Sequence, residues 1–285
     1  MSYKNFGLKT FISHKKLNNE LRNSEGSLGL VATMGSLHRG HISLIEKATA
    51  NNTNVIVSIF INPTQFDENQ DLRNYPKNLQ NDLQLLQNFP NILVYIPEIS
   101  DLYPKKIKAK NYDFGKLDKI MEGEFRPGHF NGVSTIVEKL FTIFYPDFAY
   151  FGEKDFQQVI IIKALVEQQE LSTKIISCPT IRENDGLAMS SRNQLLKEGY
   201  RKNAAIIHNS LLEAKQLMKS MNPPQLEKTV AAKFFNAEGV DLEYFKVLTN
   251  DSLAERKKFN KAEAYRAFIA CRIGEVRLID NIILT

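Results

Sequence analysis

Tryptophan is absent from the 285 residues, and cysteine occurs only twice, at Cys178 and Cys271. Two cysteines so far apart supply neither a disulfide framework nor metal-ligand spacing. No apolar run approaches the roughly 18 residues that a membrane-spanning helix needs, so no membrane partner is expected. The opening Met1-Ser2-Tyr3-Lys4-Asn5 has no apolar core of the kind a secretory signal carries. Internal repeats and low-complexity stretches are also missing. A cytoplasmic protein is the simplest expectation.

What is present is an ordinary globular composition, 43% hydrophobic and 24% charged. The length suits one large domain or two unequal ones. A net charge of +5 favours an anionic partner without separating nucleic acid from nucleotides or carboxylates. The basic runs Lys105-Lys106-Ile107-Lys108-Ala109-Lys110 and Arg256-Lys257-Lys258 carry no interleaved aromatics. They read as solvated loops, and no nucleic-acid partner is expected.

Up to about residue 180 short apolar strands alternate with helical segments. Strands are expected at Leu28–Thr33, Asn54–Ile61, Ile92–Ile96, Phe148–Phe151 and Thr173–Cys178, with near-continuous apolar runs of the kind buried on both faces of a parallel sheet. Helices are expected at His41–Ala50, Asp71–Asn88 and Asp155–Gln169. A further helix follows from Val133, Ile136, Val137, Leu140, Phe141 and Phe144, which recur at helical spacing. This alternation predicts an α/β domain with a doubly wound, Rossmann-like parallel sheet over residues 1–180, with ligands beyond the carboxyl ends of its strands. Residues 181–285 read as a smaller α+β domain acting as a lid. It has helices at Glu198–Met218 and Gln225–Ala237, broken by Asn222-Pro223-Pro224, then strands at Asp241–Leu248, Arg266–Ile273 and Val276–Leu284. Gly274-Glu275 is a two-residue hairpin turn between the last two.

Thr33-Met34-Gly35-Ser36-Leu37-His38-Arg39-Gly40-His41 lies between the first long strand and its helix. It is neither a Walker loop nor a Gly-x-Gly-x-x-Gly turn. Its glycines let backbone approach a ligand, and the helix start presents N–H groups to phosphate. Two imidazoles beside them can donate hydrogen bonds to phosphate oxygens as charge builds on a leaving group. A single histidine there would be read as loop filler; two of the chain's five, flanked by glycines, point to a nucleotide-phosphate site. The element resembles the His-x-Gly-His signature of the nucleotidyltransferases related to class I aminoacyl-tRNA synthetases. Gly186-Leu187-Ala188-Met189-Ser190-Ser191-Arg192 fits a degenerate form of that superfamily's second phosphate loop. Its hydroxyls can bond phosphate, and the planar cation of Arg192 can span two oxygens. Together the two loops argue for attack at the α-phosphate of ATP with release of pyrophosphate.

Four longer motifs narrow the resemblance: Val57 to Phe66, ending Asn62-Pro63-Thr64-Gln65-Phe66; Met121 to Val133; Phe151-Gly152-Glu153-Lys154-Asp155-Phe156-Gln157-Gln158; and Pro179-Thr180-Ile181-Arg182-Glu183-Asn184-Asp185-Gly186. In this order, and with the closing Arg277-Leu278-Ile279-Asp280-Asn281, they resemble the pantoate–β-alanine ligases over nearly the whole chain. The resemblance implies that pantoate and ATP form pantoyl adenylate and pyrophosphate, after which the amine of β-alanine displaces AMP. It places Met34, Gly35, Ser36, Leu37, His38, Arg39, Gly40 and His41 along ATP, with His38 and His41 at the phosphates and His41 as catalytic acid. Gly152, Glu153, Lys154 and Asp155 would contact the nucleotide, Lys154 steadying the α-phosphate and Asp155 the ribose. Ile181 would lie against adenine, with Met189, Ser190, Ser191 and Arg192 over the phosphates. Gln65 and Gln158 would grip pantoate, with Asn62, Tyr75 and Arg126 nearby. For His129 a structural and a catalytic role stand equal.

Two departures from the family pattern stand out. Ala32 occupies a usual proline position, and Asn81-Asp82 stands where the family often has two acidic residues linked to Mg²⁺. Asp82 is therefore the single metal candidate, with the ATP phosphates supplying most ligands. A homodimer is the family-level expectation. The nearest rivals are a nucleotidyltransferase acting on a phosphorylated acceptor and a basic nucleic-acid-binding descendant of a synthetase.

Overall fold

The computed structural model describes residues 7–22, 24–67 and 69–285. They fall into two compact units, one formed by the described residues up to Gly152 together with Ile161–Cys178, the other by Glu153–Ile160 and Pro179–Thr285. The expected boundary near 180 lies two residues past Cys178; the segment Glu153–Ile160, inside the sheet domain by sequence, goes with the C-terminal residues.

The first unit is built on six parallel strands, β1 (Lys9–Phe11), β2 (Leu28–Thr33), β3 (Asn54–Ile59), β4 (Ile92–Tyr95), β5 (Phe148–Gly152) and β6 (Lys174–Cys178), in the order β1-β4-β3-β2-β5-β6. This is the doubly wound sheet expected. The edge strand β1 is an addition to the expected set, because three residues hold no readable alternation. Strand order reverses at β2, so the β2/β5 crevice is the switch point where α/β sheets bind ligands. These strands pair only at Gly29 with Phe148 and Leu30 with Ala149; beyond that, towards Thr33 and Gly152, the ladder is open.

The helices of this part are α1 (His14–Leu21), α2 (Arg39–Asn51), α3 (Asn69–Asn74), α4 (Leu79–Leu86), α5 (Ile99–Leu102), α6 (Glu122–Phe125), α7 (His129–Phe144) and α8 (Phe156–Gln168), which runs from the second unit's segment into the first. The single helix expected over Asp71–Asn88 is two, α3 and α4. Pro76 disfavours helical backbone at Tyr75, and a new helix begins at Asn78, whose side chain accepts from Asn81 N–H at 3.2 Å. The six apolar positions expected on α7 are all buried, because helical spacing gives one continuous inward stripe. Val31, Ile45, Val55, Val57, Leu83, Leu86 and Val94 form the sheet-centred core.

The second unit carries the antiparallel sheet β7 (Val240–Thr249), β8 (Tyr265–Ile273) and β9 (Val276–Ile283). Helices α9 (Glu198–Arg201), α10 (Ala205–Leu217) and α11 (Pro223–Ala231) precede it. The expected helix over Glu198–Met218 is interrupted by a 3₁₀ turn at Lys202–Ala204. Ile207, Leu211, Leu226, Val230, Phe245, Val247, Ile269 and Leu278 make a separate core. Gly274 supplies the positive φ of +57° in the β8–β9 turn. No helix among the described residues is long and apolar enough to cross a membrane.

Candidate active site

At the end of β2, Thr33 Oγ1 donates to Ser58 O (2.8 Å) and accepts from Gly35 N–H (3.2 Å). Gly35 and Ser36 then take consecutive left-handed conformations, φ +80° and +51°. This turn aims the N–H groups of Ser36 and Leu37 at one carboxylate, Asp82 in the first turn of α4, at 2.9 and 2.6 Å. Asp82 is 1% exposed. Burial raises its carboxyl pKa, while the two backbone N–H groups pull it back down.

His38 is the N-cap of α2, and its Nδ1 accepts from Gly40 N–H at 3.1 Å. Its own N–H donates to His41 Nδ1 at 3.3 Å, so the two histidines form a reciprocal capping box. The rings lie 4.1 Å apart, tilted by 42°. A ring nitrogen that accepts from a backbone N–H carries no proton, so the cap assigns each imidazole the neutral tautomer with its hydrogen on Nε2. Both rings are thereby built as Nε2–H donors beside a helix N-terminus, an arrangement suited to phosphate oxygens. Arg39 lies outside this pair, with its guanidinium 3.6 Å from Glu46.

Beyond β3, Pro63–Gln65 forms a 3₁₀ turn. Asn62 Nδ2 donates to Gln65 Oε1 (3.2 Å) and to Gly132 O on α7 (3.1 Å), while Asn62 Oδ1 accepts from Tyr103 OH (2.7 Å). Gln65 Nε2 lies 2.8 Å from Met34 Sδ, joining this turn to the histidine turn. Helix α7 presses close: a Cβ at Gly132 would stand 2.0 Å from Thr64 O and 2.5 Å from Gln65 Cα. Behind the turn, His129 Nδ1 bonds Gln65 O at 2.7 Å and its Nε2 meets Arg126 Nη1 at 3.2 Å. A carbonyl can only accept, so His129 carries its hydrogen on Nδ1, the opposite tautomer to His38 and His41. Its ring orients Gln65, which favours the structural of the two roles left open for it. Arg126 also faces Asp67 (3.6 Å) and Glu122 (3.7 Å). Tyr75 is buried edge-on against Phe66, ring centroids 5.8 Å apart.

Asp82, the single Mg²⁺ candidate of the sequence, is turned inward onto the histidine turn. Its two oxygens are both engaged by the backbone of the histidine turn, and among the described residues no group of three His, Cys, Asp or Glu could hold a metal. Mg²⁺ prefers an octahedral oxygen shell that retains several waters. Asp82, 1% exposed, has only the lone pairs left by those two N–H bonds to offer a cation.

In the second unit, the turn Glu153–Asp155 follows directly after Gly152, the end of β5. Lys154 is partly buried, its ammonium 3.5 Å from Asp155. Gln158 is half-buried in the first turn of α8. Ile181 begins a tight hairpin in which Met189 N–H donates to Ile181 O (2.9 Å) and Glu183 N–H to Leu187 O (2.8 Å). Gly186 turns it with φ +88°, and a Cβ there would stand 2.2 Å from the His208 ring. Ser190 caps the following 3₁₀ turn by accepting from Arg192 N–H at 3.3 Å, and Ser191 is buried.

Several supporting residues had no assigned role in the sequence reading. Arg182 forks onto Asp280 (2.5 and 3.0 Å), and Asn281 Nδ2 donates to the carbonyls of Glu153 (2.8 Å) and Lys154 (2.9 Å). One signal was available: Asp280-Asn281 is an adjacent polar pair flanked by Leu278-Ile279 and Ile282-Ile283, so one of the two must face the core side.

Residues 8–283 match the family model described as pantoate-beta-alanine ligase. A pantothenate synthetase of Christiangramia forsetii is 47% identical over 90% of this chain and 92% of its own length. The crystal structure of the pantothenate synthetase from Thermus thermophilus superposes with TM-score 0.91 at 34% identity, over 97% of this chain and 99% of that one. A pantoate-beta-alanine ligase of Francisella tularensis, solved in complex with beta-gamma ATP and β-alanine, superposes with TM-score 0.81 at 37% identity, over 97% and 98%. With the histidine cap and the switch-point sheet in place, a match of this breadth has one meaning: the chain belongs to the pantoate–β-alanine ligase family.

Proposed function

We infer that the chain condenses pantoate with β-alanine in two ATP-driven steps, and that the residues described above carry them. The observation that carries the reading is the reciprocal His38–His41 cap, which fixes two Nε2–H donors at a helix N-terminus. In the first step a pantoate carboxylate oxygen bonds to the α-phosphorus, and the bond to the β-phosphate oxygen breaks. Pyrophosphate leaves with the electron pair. A carboxylate is a poor nucleophile toward an anionic phosphate, so positive charge and donors must gather around the reacting atoms. Lys154 and Arg192 supply cations. His38 and His41 supply hydrogen bonds that strengthen as the leaving group gains charge, with His41 the acid.

Gln65 and Gln158 hold pantoate. A neutral amide both donates and accepts, so it orients the acid without neutralising the attacking carboxylate. Asn62 and His129 keep Gln65 in place. In the second step the amine nitrogen of β-alanine bonds to the acyl carbon, the bond to the AMP oxygen breaks, and the amine sheds a proton. Gly152, Glu153, Asp155 and Ile181 belong to the nucleotide side. Mg²⁺ is expected to arrive on the ATP phosphates, not on a protein cage. A cytoplasmic homodimer is the state and location that the family resemblance implies.

Pyrophosphate release with ATP and pantoate, with and without β-alanine, tests the reading. Pantoate-dependent release, with AMP and pantothenate appearing once β-alanine is added, is the expected result. ATP binding without pantoate-dependent release would overturn it.

A further inference from the structure

Two candidate nucleotide segments of the second unit, Glu153–Asp155 and the Ile181–Arg192 hairpin, are separated by more than twenty residues of chain, yet one dipeptide of β9 holds both. Asn281 Nδ2 donates to Glu153 O and Lys154 O at 2.8 and 2.9 Å. The same residue's backbone carbonyl accepts from Arg182 Nη2 at 3.2 Å, and Asp280 receives the Arg182 fork. Arg182 in turn donates to Gly186 O at 3.0 Å, at the tip of the hairpin. From the other side Arg266 donates to Asn281 Oδ1 (2.5 Å), faces Glu153 Oε2 (3.2 Å) and lies 3.8 Å over the Phe156 ring. Asp280, Asn281 and Arg266 are 2%, 3% and 6% exposed.

We propose that Asp280 and Asn281 are positioning residues that lock the Lys154 segment and the phosphate-loop hairpin into one nucleotide-gripping frame. The proposal rests on the assignment of Lys154 and Arg192 to ATP made above.

The chemistry of the pair argues for this over a packing role. Burying an ion pair and an amide costs desolvation that apolar residues of similar volume would avoid. What they provide instead is geometry. An Asn side chain offers two donor hydrogens and one acceptor at fixed angles, and here the hydrogens meet two successive carbonyls while the oxygen meets a guanidinium. The Arg182–Asp280 fork fixes orientation as well as distance. Lys154 is thus held through its own backbone carbonyl, shortly after Gly152, where main-chain freedom would otherwise let it drift. A misplacement of about 1 Å in a reacting array can cost on the order of 100-fold in rate.

The test compares Asn281→Ala, Asn281→Asp and Asp280→Asn with Leu278→Ala, a buried neighbour on the same strand that belongs to the apolar core. Asn281→Asp keeps the acceptor for Arg266 but sets an oxygen against two carbonyl oxygens. Each variant is measured for thermal midpoint, for KM of ATP and of β-alanine, for the rate of pantoyl-adenylate formation, and for calorimetric affinity toward a non-hydrolysable ATP analogue. The expected result for both Asn281 variants is an ATP KM and an analogue Kd raised about tenfold or more, and adenylate formation slowed about 10- to 100-fold. The KM of β-alanine stays within about twofold. Leu278→Ala lowers the midpoint while leaving the ATP KM at the wild-type value. Should Asn281→Ala fail to fold, Asp280→Asn, which weakens the Arg182 fork and the bond from Asn281 N–H (2.7 Å) while keeping the Asn281 side chain, is expected to raise the analogue Kd in the same direction. A folded Asn281 variant with wild-type analogue affinity and adenylate rate overturns the proposal, as does Leu278→Ala reproducing the ATP defect. The analogue titration reads the frame directly. Failure of the ligase reading would appear instead as wild-type protein that binds the analogue yet releases no pyrophosphate with pantoate.

Discussion

Replacing Asp82 by asparagine separates a residue that staples the histidine turn from one that binds metal. The asparagine oxygen can still accept from Ser36 or Leu37, but its NH₂ then faces the other N–H, which loses the partner it has at 2.9 or 2.6 Å. An orphaned buried N–H costs about 1–3 kcal/mol. Part of this is offset, because burial raises the Asp82 pKa and the neutral amide escapes that desolvation. A net loss of about 1–2 kcal/mol is expected, which lowers the thermal midpoint by roughly 2–3 °C for a protein of this size. Asp82→Ala orphans both groups and opens a cavity, for a loss of about 3–6 kcal/mol. Thermal unfolding of both variants in EDTA and in millimolar Mg²⁺, with ATP KM measured in parallel, checks the argument. The midpoint shift should be the same in either buffer and the ATP KM should rise, because the turn leading into His38 has loosened. A variant that keeps the wild-type midpoint in EDTA, and whose activity is restored by extra Mg²⁺, would refute the staple and restore the metal ligand.

The contact between α7 and the Pro63–Gln65 turn admits no side chain. Gly132→Ala places its Cβ 2.0 Å from Thr64 O, so helix and turn must separate; about 1–3 kcal/mol of stability and roughly 100-fold in adenylate formation should be lost, and a variant within twofold of wild type in both would show that Gln65 is not held this way. His208 gives an acid limit. Burial lowers its pKa, the adjacent Arg182 charge lowers it further, and Asp280 and Asp185 oppose both. With the folded value below the unfolded one, about 6.5, the stability it contributes is complete above that unfolded value and is lost as pH falls through the folded one. The thermal midpoint should therefore decline on acidification below about pH 6.5, and His208→Gln should flatten that decline; an unchanged slope would remove His208 from the account.

Legibility followed the range of the forces involved. Strands β2 and β3 stood out as near-continuous apolar runs because both sheet faces are covered, and α7 because its stripe keeps helical spacing. The break between α3 and α4 was signalled by Pro76, but Leu79, Leu83 and Leu86 continue a plausible apolar rhythm across it. The turns at His38–His41 and Gly186–Arg192 stood out because each is confined to a short motif. Their supports were not. Asp82 reaches 45 and 46 residues back to the histidine turn, and Asn281 reaches 127 and 128 residues back to Lys154 and Glu153. A side chain that bonds a distant carbonyl or N–H leaves no periodicity and no neighbouring partner to betray it. Asp82 shows the consequence: the family resemblance marked it as a metal candidate, and nothing in the sequence marked its bonds to the N–H groups of Ser36 and Leu37.

That carboxylate can also be described as a guest. Two successive left-handed residues, Gly35 and Ser36, bend the main chain into a small anion receptor, and Asp82 occupies it as a ligand tethered by the fold itself. The receptor is therefore saturated before ATP arrives. At the proposed ATP site those two N–H groups are already engaged, and the donors left on offer are those of the capped histidines. The entropy of ordering the turn is spent during folding, so a ligand meeting it does not have to supply that ordering.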